Sequence, residues 1–281
     1  MIELCSYNDI NYLAKQVAFY HSLERHVGND FTLHILALDD ATFNWLGRRN
    51  FRRMTVTRLD AFEDESLKKV KPKRTRVEYY FTLTAAWVKR VIDHYQLENV
   101  AYCDADMFCF HNLRQLYDEV GSASIAIVPH RFTPEHDWRN EANGPYNVSW
   151  TYFRNDPVGR MALDVWRQQC LDWCSLRSEN GLFGDQGFIR NWPQQYGAHV
   201  VRHIGVGLAP WNQLQYRYHV AGDAIMVESD PLILYHAHEF CRHERGVYTY
   251  THWPLSDFVV KHVYEPYCQA IEEAEDEIRT H

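Results

Sequence analysis

The chain has 281 residues, 46% of them hydrophobic and 23% charged, with 29 Lys and Arg against 37 Asp and Glu and a formal net charge of −8. That composition excludes a disordered chain, and its acidic balance argues against a general nucleic-acid binder, which carries a basic face. The length suits one large domain or two small ones, and no run approaches the ~18 apolar residues of a membrane span.

In chain order, residues 2–7 predict a first strand and 12–26 a helix. Residues 31–38 alternate as a second strand and stop at Asp39-Asp40; 41–50 predict a helix and 55–59 a short strand. A basic segment follows, with Lys68, Lys69, Lys71, Lys73, Arg74 and Arg76. It reads either as a solvated loop or as a mobile cover over an anion. Residues 77–95 place Tyr80, Leu83, Trp87, Val91 and Ile92 at helical spacing. Residues 100–103 form an apolar strand, and 124–129 predict another.

The second half is less regular. Residues 147–153 predict a strand, 157–174 a helix, 184–192 the start of a helix, 200–203 and 232–236 strands, and 257–278 a C-terminal helix with an acidic end. Strands alternating with helices argue for an α/β chain with a mostly parallel sheet flanked by helices and a smaller mixed C-terminal part. Without a linker or repeat, 1–281 reads as a single domain, with a first half at about 1–120, a second half at about 121–240, and a helical extension at 241–281.

The chemistry concentrates at Tyr102-Cys103-Asp104-Ala105-Asp106. A buried strand stops at two carboxylates one residue apart, and in extended backbone positions i and i+2 point the same way. Such a pair repels itself unless a cation lies between, and hard oxygen ligands suit magnesium or manganese, which keep open positions for substrate phosphates. In parallel α/β sheets ligands bind beyond the carboxyl ends of the strands, where Asp104 and Asp106 lie. A D-x-D alone is also a common solvated turn. The phosphatase use of D-x-D wants Thr or Val two residues after the second acid, where this chain has Phe108.

Seven cysteines in no regular framework, and an N-terminus without a basic and apolar leader, read as reduced thiols in a cytoplasmic protein. His238-Glu239 with His243 misses the zinc-protease spacing by one residue.

With these residues in order, the chain resembles GT-A fold glycosyltransferases, most closely the retaining family 8 type and its bacterial relatives. The resemblance covers about residues 2–240. It rests on Cys5-Ser6-Tyr7-Asn8 followed by Tyr12, on Tyr79-Tyr80-Phe81-Thr82-Leu83, on Asp104-Ala105-Asp106, on Tyr146-Asn147-Val148-Ser149 and on Gly184-Asp185-Gln186-Gly187. The resemblance implies a Rossmann-like GT-A fold and a metal-dependent hexosyltransferase that moves sugar from a UDP-type nucleotide sugar to a glycan, lipid-linked or protein-linked hydroxyl, as in polysaccharide biosynthesis. It implies Asp104 and Asp106 as metal ligands, with Mn2+ ahead of Mg2+. Ser6, Tyr7, Asn8, Tyr12, Asp104 and Ala105 would meet the nucleotide. Asn147, Trp211 and His238 would meet the donor sugar or acceptor, and Asp185 and Gln186 would lie at the anomeric carbon.

The third ligand is assigned to His236, which ends the better late strand, with His238 and His203 as alternatives. His203 carries Pro210-Trp211 at the family distance, but Ala209 stands where the family has a phosphate-binding Lys. Thr82 stands where the family tends to have Arg, leaving Arg76 or Lys89 as substitutes. The acidic C-terminal helix argues against an anionic membrane surface as its partner, although peripheral contact stays open through the basic segment. The alternatives are a sugar nucleotidyltransferase, which would need a Gly-rich loop where this chain has Ser6-Tyr7-Asn8-Asp9-Ile10-Asn11, and a non-catalytic carbohydrate-binding protein on the same fold.

Overall fold

The structure is a computed structural model that describes residues 1–281. Its strands, in chain order, are β1 (Ile2–Asn8), β2 (Phe31–Ala37), β3 (Met54–Arg58), β4 (Asn99–Cys103), β5 (Met107–Cys109), β6 (Ile125–Pro129), β7 (Tyr146–Arg154) and β8 (His199–Val200). They continue with β9 (Tyr218–Ala221), β10 (Ala224–Val227), β11 (Asp230–Pro231), β12 (Leu234–His236), β13 (Cys241–Glu244) and β14 (Val247–Thr249).

Seven of these make the main sheet in the order β3-β2-β1-β4-β7-β6-β8. Neighbours from β3 to β4 run parallel, while β7 runs antiparallel to both β4 and β6. This is the mostly parallel α/β sheet that strand–helix alternation predicts. The chain leaves β1 towards β2 and returns on the other side of β1 as β4, so a crevice opens between the carboxyl ends of β1 and β4.

The strands are apolar on both sides because helices cover both faces. Leu4, Leu33, Ile35, Ala101 and Cys103 face one core, shared with the helix Leu13–Val27 and the C-terminal helix. Cys5, Leu36, Val100 and Tyr102 face the other, packed under the helices Arg76–Tyr95 and Pro157–Asp172. The period-2 alternation of each strand thus divides its side chains between two cores. Helix Arg76–Tyr95 starts at a reciprocal cap in which Thr75 and Glu78 satisfy each other's backbone N–H.

Several predicted elements change in extent, each for a physical reason. The strand expected at 200–203 is only His199–Val200, because the backbone N–H groups of Arg202 and His203 turn to the Glu119 carboxylate. The strand expected at 232–236 narrows to Leu234–His236, since Ile233 and Leu234 both donate to the Gly205 carbonyl. The start expected at 184–192 is a 3-10 turn, Gln186–Asn191, before a short α-helix, Trp192–Tyr196. The C-terminal helix contains a π turn, Val260–Tyr264, that ends two residues before Pro266, whose missing N–H removes one ordinary helical bond.

The basic segment is not a loop. It forms the helix Glu65–Val70 and a 3-10 turn, with Lys68 paired to Glu65, Lys71 to Glu63, and Arg74 donating to the carbonyls of Leu171 and Cys174. All seven cysteines are free, and six are buried. No helix is long and apolar enough to cross a membrane.

Candidate functional site

A cleft of about 760 Å³ opens at the carboxyl ends of β1 and β4. The turn after β4 is fixed by backbone bonds from Asp104 to the Ser149 carbonyl and from Met107 back to Asp104. The chain then enters β5, which pairs antiparallel with β12 so that His236 lies opposite Met107. Ala237 donates to the Asp106 carbonyl and His236 to that of Leu208, which lock this late strand beside the D-x-D turn.

The pairing brings His236 Nε2 to 3.2 Å from Asp106 Oδ1 and 3.8 Å from Asp104 Oδ2. One ligand atom from each of the three lies within 4.8 Å of the others. Adjacent ligands of an octahedral cation with ~2.1 Å bonds stand about 3 Å apart, so the three groups fit a divalent metal with little movement. Their chemistry agrees, with two hard carboxylates and one imidazole. His236 Nδ1 is buried and lacks a partner, so Nε2 is the nitrogen presented to the acids.

Electrostatics show what a cation would relieve. Burial raises the Asp104 carboxyl to about 6, Asp106 adds to the rise, and His236 opposes it. Burial acts the same way on Asp106, but attraction and a hydrogen bond from His236 outweigh it and hold that carboxyl far below its ordinary value. His236 is penalised by burial yet ends above its ordinary value because Asp106 and Asp104 favour the imidazolium. The two acids thus favour positive charge at His236, the place where a cation's charge would act.

The alternative histidines lie elsewhere. His238 borders the cleft, packs edge-on to Trp211 and His236, and is pushed down to about 4 by burial and then by the charge of His236. His203 bonds to Gln115 through Nε2 and lines no part of the cleft.

On the β1 side, Tyr7, Asn8 and Tyr12 line the cleft with Ala105. Tyr7 packs its ring on Tyr80 and Tyr102 at 6.5 and 5.5 Å. Ser6 does not reach the cleft: it is fully buried and its Oγ has no partner. It shares the side of Asn8 but sits one strand repeat deeper, which removes its side chain from the nucleotide set. Arg76 lines the cleft, whereas Lys89 is held by Asp164 at 2.7 Å and lines no part of it. Thr82 turns back onto the Glu78 carbonyl.

Across the cleft stand Asp185, Gln186 and Asn147. Gly184 takes φ +53° against the Phe81 ring, where an added Cβ would lie 2.9 Å from the ring edge; this turn aims Asp185 inward. Burial pushes the Asp185 carboxyl up to about 7, with Thr84 hydrogen bonding against it and Asp104 adding to it. Asn147 Nδ2 donates to Gln186 Oε1 at 3.3 Å and to His130 Nε2 at 3.1 Å, while Gln186 donates to the Asn143 carbonyl at 2.7 Å. Trp211 donates to the His130 carbonyl.

Four contributors escape sequence reasoning. Tyr102 donates to Asp104, and its i−2 position on the same strand was a readable signal. His130 and Trp253 come from irregular segments, and Arg139 from a six-residue helix, Trp138–Asn143, too short to show a period.

No model of a known protein family matches the chain. Two Bacillus subtilis (strain 168) proteins are similar in sequence. The uncharacterized protein YfnD is 29% identical over 275 residues, spanning 96% of this chain and 88% of YfnD. The uncharacterized protein YfnF is 27% identical over 233 residues, spanning 80% of this chain and 77% of YfnF. Among solved structures, the galactosyltransferase LgtC with donor and acceptor sugar analogues superposes with a TM-score of 0.61 at 13% identity, covering 97% of this chain and 96% of LgtC. An active-site variant of LgtC superposes with a TM-score of 0.60 at 10% identity, covering 98% and 96%. The fold is therefore the GT-A fold of these glycosyltransferases.

Proposed function

We propose that this chain is a metal-dependent hexosyltransferase. It takes a nucleoside diphosphate sugar, with UDP as the preferred nucleotide, and transfers the sugar with retained anomeric configuration to a glycan, lipid-linked or protein-linked hydroxyl. The observation that carries this reading is the convergence, in one cleft on a GT-A frame, of Asp104, Asp106 and His236 with Asp185, Gln186 and Asn147.

Asp104, Asp106 and His236 would hold the cation, Mn2+ ahead of Mg2+, which supplies Lewis-acid neutralisation of the departing diphosphate. His236 must release its proton to ligate, and Asp104 and Asp106 must be ionised. Tyr7, Asn8 and Tyr12 border the space for base and ribose, with Ala105 backbone beside the metal. Arg76 supplies a cation that the missing family lysine does not.

Asn147 and Gln186 hold each other, so the Gln186 amide presents a fixed dipole to the sugar face. Asp185, ionised when the cation offsets Asp104, accepts hydrogen bonds from sugar hydroxyls. In a retaining displacement the leaving phosphate oxygen can take the acceptor proton, so the cleft needs no separate general base. His238 and Trp211 border the acceptor side. The chain between β1 and helix Leu13–Val27 has no glycine, which counts against nucleotidyl transfer.

Calorimetric titration of UDP and GDP, with and without Mn2+, on the wild-type chain and on Asp104→Asn/Asp106→Asn tests the proposal. Manganese-dependent UDP binding that disappears in the double variant supports it. Absence of nucleotide binding under all conditions defeats it. Donor hydrolysis by the wild type but not by Asp106→Ala then separates an enzyme from a binding protein.

A further inference from the structure

We infer that Arg139 is a specificity residue for an anionic acceptor, one that carries a carboxylate or a phosphate. The inference deepens the glycosyltransferase reading and rests on it.

Arg139 lines the cleft, and two indole rings approach its guanidinium carbon, Trp138 and Trp253, each 4.8 Å from ring centre to Cζ. Trp253 is itself buried. Aromatic contact engages the faces of a guanidinium and leaves its edge N–H groups for planar anions, which they bind in pairs. Here no carboxylate pairs with Arg139, and its buried Nε makes no hydrogen bond. A buried donor without a partner is costly, and a site that holds one in place by packing is prepared for a ligand that supplies the acceptor. Glu239, the one glutamate that lines the cleft, is already engaged by Thr251 and His252.

The position selects the acceptor over the nucleotide. Arg139 sits one turn before Asn143, whose carbonyl holds Gln186 at the sugar end of the cleft. The aromatic cluster assigned to the nucleotide, Tyr7 with Tyr80 and Tyr102, belongs to β1, β4 and the helix Arg76–Tyr95 instead. Arg76, the other cleft guanidinium, opens that same helix.

Ligand-observed saturation-transfer NMR reads the preference at the millimolar affinities of monosaccharides. The probes are methyl glucuronide against methyl glucoside, and glucose 6-phosphate against glucose, with Mn2+ and UDP present. The expected result is about tenfold stronger binding of at least one charged probe over its neutral partner, the size of a charge-assisted paired contact. The two probe pairs distinguish carboxylate from phosphate. That preference should vanish in Arg139→Gln and persist in Arg114→Gln, an exposed guanidinium that lines no part of the cleft. Equal binding of charged and neutral probes overturns the inference, as does a preference that survives Arg139→Gln. If Arg139→Gln instead loses UDP binding, Arg139 is a diphosphate contact and the acceptor assignment is wrong. If UDP fails to bind the wild type, the glycosyltransferase reading fails first, and the two failures are separable.

Discussion

The phenolic oxygen of Tyr102 donates a 2.8 Å hydrogen bond to Asp104 Oδ1, two positions along the same strand. The contact favours the ionised carboxylate, against the burial that raises Asp104 to about 6. Tyr102→Phe removes that help, so Asp104 titrates higher and competes with metal over a wider acid range. Manganese affinity should fall about tenfold, the usual effect of losing a partner behind a ligand. The acid limb of metal binding should move to higher pH. A spin-resonance titration of Mn2+ between pH 5 and 8 reads both, and superimposable curves for variant and wild type would refute the role.

His130 makes a second proton-linked prediction. Burial pushes it down to about 3, so in the folded chain it stays neutral and its Nε2 accepts from Asn147. An unfolded chain takes up this proton near pH 6.5, whereas the folded one resists until about 3. His130 therefore costs stability as pH falls from 6.5 towards 3. His130→Gln should flatten that limb in urea melts while lowering transfer activity, because Asn147 loses its fixed partner. A variant as acid-sensitive as wild type over this window would show that His130 is not the group responsible.

The reciprocal cap of Thr75 and Glu78 holds the first turn of the helix whose residues Arg76 and Tyr80 border the cleft. Thr75→Ala should cost about 1 kcal/mol, the ordinary size of a lost helix cap. Glu78 sits at about 2, below its usual 4.5, chiefly through bonds from the Thr75 backbone and hydroxyl. A depressed carboxylate gives its full stabilisation above pH 4.5 and loses it as pH falls to 2. Glu78→Gln should thus be less stable than wild type at neutral pH and converge with it near pH 2, a pattern chemical denaturation at several pH values can confirm or exclude.

Gly205 connects packing to chemistry. Its carbonyl accepts from both Ile233 and Leu234, which introduces β12, and a Cβ at this position would meet the Pro231 carbonyl at 1.8 Å. Gly205→Ala must shift this crossing, at a cost of about 1–3 kcal/mol for an overpacked site. Because β12 carries His236, Mn2+ binding should weaken together with the melting temperature. Unchanged metal affinity in a destabilised Gly205→Ala would separate the crossing from the site.

What could be read in the chain follows from how local each signal is. The run Val100–Cys103 ending in Asp104 and Asp106 needs only hydrophobicity and strand periodicity, and the structure places that strand beside β1 with the acids at its carboxyl end. The parallel half of the sheet was legible for the same reason. The choice of His236 over His238 and His203 rested on its ending the better late strand, while the contact that carries that strand to the acids, β5 meeting β12, was hidden because two three-residue strands are too short to show a period. Tyr7 and Asn8 at the carboxyl end of β1 reach the cleft, whereas Ser6, one strand repeat deeper on the side of Asn8, stays buried, a difference of depth that strand periodicity does not show. The charge run at 68–76 looked mobile because its partners, Glu63 and the carbonyls of Leu171 and Cys174, are distant in sequence or outside the run.

The antiparallel meeting of β5 with β12 also sets an order of events. Its two halves are separated by well over a hundred positions of chain, with β6, β7 and the helix Pro157–Asp172 between them. A nascent chain that has emerged only through Asp106 presents the two carboxylates without the imidazole of His236, so it cannot close this three-ligand grip on a cation. Tight cation capture must wait until the later half has docked, which makes it a reporter of finished folding. A polypeptide cut short before Leu234 should fail to retain the ion, whatever its sheet has achieved.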